Sequence, residues 1–210
     1  MAGNRKVFEE AMRAAANVAW EGNWEEAVDA YQRALDEFPD DIDALTALGM
    51  AYARFGKHEK ALHAYQQASD LVPEDPVLLE RVGKGLEELG RPEEASKAYL
   101  ACGRQYIKQQ QATRLAVDCW ERAARVNPNA VEAHVSLLKY YQQQGRIRDA
   151  GEECLALARI YEDQGRGDYA IRVCQHALKL LPRNAEALNL VDKLRYGKQS
   201  SEQADAEEDA

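Results

Sequence analysis

A period of 34 residues constrains this chain more than anything else in it. The stretch GNWEEAVDAYQRALDEFP (residues 22–39) returns as GKHEKALHAYQQASDLVP (56–73). Gly22 and Gly56 lie 34 apart, as do Ala27 and Ala61, Tyr31 and Tyr65, Ala34 and Ala68, and Pro39 and Pro73. Gly90, Ala95 and Tyr99 extend the ladder by another 34. None of these residues is a nucleophile, acid or ligand in an arrangement that chemistry would demand. A period of this length is the signature of stacked supersecondary units, none of which buries its apolar face alone.

Each unit reads as two helices. In 41–56, Leu45, Leu48 and Tyr52 share one helical face, Asp41 is placed to cap the start, and Gly56 is placed to end it in the left-handed region. The following stretch forms a second face from Ala61, Leu62, Tyr65, Ala68 and Leu71, and Pro73 halts it. All six prolines fit helix boundaries: Pro39, Pro73, Pro128 and Pro182 follow second helices, Pro76 opens a first helix, and Pro92 opens a second. Two helices that pack at about 8–10 Å need small residues where they meet. Gly49 and Ala61 are expected to supply that contact, Ala68 to admit the next unit, and Tyr52 and Tyr65 to fill the space beside them.

With Leu48, Gly49, Tyr52, Ala61, Tyr65, Ala68 and Pro73 at these intervals, the chain resembles the tetratricopeptide repeat family. The match is strong over 8–41 and 42–75 and looser elsewhere. In the first repeat, Ala15 and Val18 stand where the second has Gly49 and Tyr52. The resemblance implies an all-α solenoid of stacked helical hairpins.

The period then breaks. From Pro73 to Pro128 is 55 residues and from Pro128 to Pro182 is 54, where two ordinary repeats need 68. Yet 112–128 and 167–182 are good second helices, with Ala116, Trp120 and Ala123, and Ala170, Cys174 and Ala177, in the small–large–small positions. Segments 92–110 and 147–164 must therefore serve as the second helix of one repeat and the first of the next. Each is read either as one long helix or as two short ones kinked at Gly103 and Gly151. The expected organisation is a lead at 1–7, repeats at 8–41 and 42–75, three-helix units at 76–130 and 131–184, a capping helix at 185–197, and a disordered acidic tail at 198–210.

Bulk properties narrow the function classes. Net charge is −9, and Gly197–Ala210 carries five acids against one lysine, leaving a mildly acidic body that disfavours nucleic acid. No N-terminal apolar leader and no bilayer-spanning run is present, so no membrane insertion is expected. Cys102, Cys119, Cys154 and Cys174 show no CxxC spacing and are expected as buried free thiols in a reducing, cytoplasmic setting.

The sequence contains no phosphate-binding glycine loop, nucleophile elbow or HExxH element. His58 and His63 are five apart, the wrong spacing for one metal, and neither cofactor nor metal nor enzymatic activity is expected. What remains is surface. The family resemblance implies that first helices line a concave face that takes a peptide or partner segment. By position the candidates are Met12, Arg13, Ala16, Trp20, Asp43, Ala47, Met50, Arg54, Glu80, Arg81, Lys84 and Glu88; the shortlist is Met12, Arg13, Trp20, Met50, Arg54, Arg81 and Lys84, with Met12, Trp20 and Met50 as an adaptable apolar shelf and the cations as a grip on an anionic segment. The carboxylate clamp of some family members maps to Met12, Ala16, Ala47, Val77 and Arg81, and only the arginine is retained. The sequence thus points to a non-enzymatic scaffold or adaptor for a protein partner. The alternative is a regulatory or assembly subunit docked through its convex side or helix edges.

Overall fold

The computed structural model describes residues 3–109 and 113–208, with side chains as far as Tyr196. Every element among the described residues is an α-helix: α1 (Arg5–Trp20), α2 (Trp24–Glu37), α3 (Ile42–Arg54), α4 (His58–Leu71), α5 (Pro76–Glu88), α6 (Pro92–Lys108), α7 (Thr113–Val126), α8 (Val131–Gln143), α9 (Ile147–Asp163), α10 (Gly167–Leu180) and α11 (Ala185–Glu208). Two compact units result, residues 1–127 and 128–210.

In the first unit, consecutive helices pack as antiparallel neighbours from α1 through to α7. Local chemistry sets each boundary. Asp41 accepts from the Ala44 N–H at 2.9 Å and starts α3, and Asp75 does the same for Val77 at 2.7 Å ahead of Pro76. Gly56 (φ 76°) closes α3, with the Lys57 N–H bonding back to the Tyr52 carbonyl at 2.8 Å, a Schellman closure that a β-carbon would strain.

The helical glycines work differently: they are sockets for aromatic rings. A β-carbon on Gly49 would stand 2.5 Å from the Tyr65 ring, and one on Gly83 would stand 2.9 Å from the Tyr99 ring. Gly103 receives the Trp120 indole in the same way. Gly49 therefore meets Tyr65 itself, because the ring lies over the glycine and occupies the space that two small residues were expected to share. Tyr99 is wholly buried; its hydroxyl donates to Glu87 at 2.8 Å and the Arg122 guanidinium lies 5.3 Å from its ring centre. Burial drives its pKa up, with the Glu87 contact adding to the rise. Burying such a side chain contributes roughly 2–3 kcal/mol.

Segments 92–110 and 147–164 hold continuous helices, α6 and α9, each of 17 residues. Gly103 and Gly151 lie within them as sockets, under Trp120 and Leu181, and do not break them. Cys102 on α6 and Cys119 on α7 form a disulfide, with Cα atoms 6.3 Å apart. This corrects the expectation of four free thiols: the same register that seats Trp120 over Gly103 brings the two cysteines together. It also removes half of the argument from free thiols to a reducing compartment. Cys154 and Cys174 remain free and buried.

In the second unit, Cys154, Leu155, Ala158, Cys174, Ala177, Ala187, Leu190 and Val191 form one core across α9, α10 and α11. His134 of α8 is buried; its Nδ1 lies 2.7 Å from a Glu153 carboxylate oxygen and its Nε2 lies 3.0 Å from the Pro128 carbonyl. With Glu153 ionised both partners are acceptors, so the site favours the protonated ring over the neutral one. The backbone of α11 stays helical to Glu208, so the cap does not close at Gly197, and the tail expected to be disordered is helical that far. The stretch after Gly197 has no proline, and a helix already anchored by packing extends at one hydrogen bond per residue. Residues 209 and 210 lie outside the described residues.

Candidate functional site

Helix α3 of the first unit carries a pocket on each side. The first, about 270 Å³, is lined by Ala16, Ala19 and Trp20 of α1, Trp24 and Tyr31 of α2, and Ala47, Met50 and Ala51 of α3. Its walls carry no charge. The alanines leave the gap between α1 and α3 unfilled, and Trp20 stands at its edge 93% exposed. An indole left in water is the notable feature, because a tryptophan in this chain has every opportunity to pack.

The second pocket, about 230 Å³, lies between α3 and α5 with α4 behind it. Met50, Ala53 and Arg54 line one side, Arg81, Lys84, Gly85 and Glu88 the other, and Ala61 and Tyr65 the back. Three cations and one carboxylate thus face the same space. Glu88 is engaged with His58 at 2.8 Å. No carboxylate among the described residues lies within ion-pair distance of Arg54, Arg81 or Lys84, although ion pairs are frequent elsewhere on the chain. Arg81 Nε is buried and has no hydrogen-bond partner, while its guanidinium carbon lies 5.9 Å from the Tyr65 ring centre. Burial raises the Tyr65 pKa, and the nearby Arg81 and Arg54 charges pull against that rise.

The structure brings Trp20 and Met50 together at one pocket, and Met50, Arg54, Arg81 and Lys84 at the other, with Met50 as the shared wall. Met12 is not part of either. It packs half-buried against the Phe8, Ala34 and Ala44 cluster. Arg13 is exposed on α1 and lines neither pocket. Sequence reasoning missed Trp24 and Tyr65 as lining residues, whereas Glu88 was among its positional candidates. Trp24 opens a second helix, outside the first-helix rule used to select candidates, and Tyr65 had already been assigned to packing. A third pocket, around Tyr106, Leu115 and Asp118, is crossed by the chain's own Arg122–Glu80 pair at 2.9 Å.

Three tetratricopeptide repeat family models match the chain, over residues 8–74, 100–160 and 153–187. The chain belongs to the tetratricopeptide repeat family. No curated protein sequence matches it significantly. Among solved structures, it is similar to the Yersinia enterocolitica type III secretion chaperone SycD in complex with a peptide of the translocator YopD. Identity there is 16%, with 59% of this chain and 94% of that one covered at a TM-score of 0.53. It is also similar to PcrH in complex with the chaperone binding region of PopD, at 18% identity, 59% and 92% coverage and a TM-score of 0.53. The tetratricopeptide domain of Sgt2 from Aspergillus fumigatus matches at 19% identity, 59% and 80% coverage and a TM-score of 0.51. At such identities the likeness establishes the fold, an α-solenoid of stacked hairpins. Among the described residues no cluster of three or more His, Cys, Asp or Glu is placed to hold a metal, and no helix is long and apolar enough to cross a membrane.

Proposed function

We propose that this tetratricopeptide repeat protein is a non-enzymatic interaction scaffold that holds a segment of a partner protein on the α1–α3–α5 face of its first unit. The observation that carries the reading is the pair of open pockets flanking α3, one rimmed by a nearly fully exposed Trp20 and the other by cations without acidic partners. Exposed tryptophan and arginine beside small, preformed hollows are what interface hot spots are made of. Structures similar in fold, SycD and PcrH, are described in complex with segments of other proteins, which agrees with this use of the fold.

The test is capture from native cells, using the tagged chain and its Arg54→Glu/Arg81→Glu variant, read by quantitative mass spectrometry. The scaffold reading expects a defined partner that the wild type retains and the variant loses. A partner held equally by both would exclude this face and favour an assembly subunit docked through its helix edges.

A further inference from the structure

We infer that Cys119 is a thiol-exchange site: a small aminothiol enters the hollow bounded by α5, α6 and α7, bonds to the Cys119 sulfur and opens the Cys102–Cys119 disulfide. The inference is independent of the scaffold reading above, because it concerns a different pocket and a different chemistry.

Access makes the first half of the case. The disulfide lies in the α6–α7 contact, where Trp120 covers Gly103. Cys102 is 0% exposed. Cys119 instead forms part of the wall of a hollow of about 230 Å³, with Glu80, Tyr106, Leu115, Asp118 and Arg122. Cys154 and Cys174 are closed inside the core of the second unit. Exchange needs a thiolate to reach a sulfur, and of the two bonded cysteines Cys119 is the one that meets open space. The incoming thiolate bonds to Cys119 Sγ, the Cys102–Cys119 bond breaks, and its electron pair leaves on Cys102 Sγ, which takes a proton from solvent. A second aminothiol attacks the sulfur that the first one brought; the two depart as their own disulfide, and Cys119 is released and protonated in turn. The protein disulfide is thereby reduced and two aminothiols are oxidised, and the oxidised aminothiol runs the sequence in reverse.

Charge makes the second half. The wall holds two carboxylates, Glu80 and Asp118, and one guanidinium, Arg122, which Glu80 already engages at 2.9 Å. The hollow is therefore net negative, in a chain of net charge −9. A thiol that carries its own carboxylate or sulfonate meets like charge there, whereas one that carries an ammonium is drawn to Asp118. Arg122 stands one turn beyond Cys119 on the same side of α7, where it offsets the charge of the attacking thiolate. The adduct occupies the space that the Arg122–Glu80 tie spans and takes from α7 its bond to α6, so exchange loosens α7 against both α5 and α6.

The experiment uses the whole chain. Trypsin places Cys102, Cys119, Cys154 and Cys174 on separate peptides (98–104, 115–122, 149–159 and 173–179), so each is read by mass spectrometry. Cys102→Ser and Cys119→Ser each leave one member of the pair, and circular dichroism checks their helicity. Treated with cystamine, the oxidised form of cysteamine, Cys119 in the first variant should gain one cysteamine at least tenfold faster than Cys102 in the second. In the wild-type disulfide, brief exposure to cysteamine followed by acid quenching should place the adduct on Cys119 and leave Cys102 as the free thiol; should a serine variant lose its helicity, this arm decides alone. Relative to its rate on the same chain in urea, cystamine should modify Cys119 at least tenfold faster than the disulfide of mercaptoethanesulfonate does. Added salt should narrow that gap, as should Asp118→Asn, a change to an exposed side chain. Equal rates at the two cysteines, faster reaction at Cys102, or no reaction at Cys119 overturn the site. Equal rates for the cationic and anionic reagents overturn its assignment to an aminothiol.

Discussion

Two glycines of α5, two residues apart, should respond to the same substitution with opposite signs. Helix propensity alone says that alanine at either position stabilises, by about 1 kcal/mol. The structure separates them. A β-carbon at Gly83 stands 2.9 Å from both Cδ1 and Cε1 of Tyr99, well inside contact distance, so the ring must retreat by several tenths of an ångström. It has little room to do so: Tyr99 is fully buried, its hydroxyl is bound to Glu87 at 2.8 Å, and Arg122 covers its face. Overpacking of this kind costs about 1–3 kcal/mol, which leaves Gly83→Ala destabilised by about 1 kcal/mol after the propensity gain. At Gly85 the nearest atom to the new β-carbon is Leu62 Cδ1 at 3.4 Å, an ordinary contact, so Gly85→Ala keeps the full gain. The two variants should differ by about 2 kcal/mol, or roughly 6 °C in midpoint for a unit of this size. Thermal and urea unfolding followed by far-ultraviolet circular dichroism measure both. If Gly83→Ala melts above the wild type, or if the two variants shift together, the ring-and-socket account of this packing is wrong.

Three further outcomes are expected. Burial opposes charge on His134, but its bonds to Glu153 and Pro128 outweigh that and hold its pKa above the ordinary 6.5. A raised folded-state pKa contributes stability that is complete below 6.5 and is lost as pH climbs through the folded value. The melting temperature should therefore fall across that window, and His134→Gln should flatten the profile; a wild-type profile already flat there would refute the charged assignment. Reduction, or Cys102→Ser with Cys119→Ser, should cost about 3 kcal/mol through the 17-residue separation, read as an earlier urea midpoint with α6 and α7 losing hydrogen-exchange protection first. Burial lifts the pKa of Cys154 and of Cys174 to about 11, so both should resist iodoacetamide at neutral pH until the chain unfolds; rapid labelling of the native protein would contradict their placement in the core.

The helix boundaries were legible because they are local. Asp41 and Pro76 at helix starts, Gly56 at an end, and prolines just beyond second helices act within a turn or two of themselves, and each appears where its chemistry places it. The double duty of 92–110 and 147–164 was legible by subtraction, since a spacing of 54 or 55 cannot hold two full hairpins, but their continuity through Gly103 and Gly151 was not. What was not legible is long-range register. Nothing local says that Tyr65 lies over Gly49, that Trp120 lies over Gly103, or that Cys102 and Cys119 therefore meet. Those facts follow from how one helix is rotated against the next, and a small residue in sequence announces only that something comes close.

The site shows the same division. Position within the repeat selected Trp20, Met50, Arg54, Arg81 and Lys84, which converge on the two pockets, but it also selected Met12, which the core absorbs through Phe8 and Ala34. The rule identifies a helix face; it does not identify which members of that face are already satisfied by the fold. Charge pairing does. Arg91, Arg122 and Arg146 are matched to a carboxylate on their own or another helix, whereas Arg54, Arg81 and Lys84 face a space that their own helices do not neutralise. The two pockets share Met50 as a wall, so the cations of one and the exposed Trp20 of the other lie on the same α3-centred face, which packing within the fold leaves open.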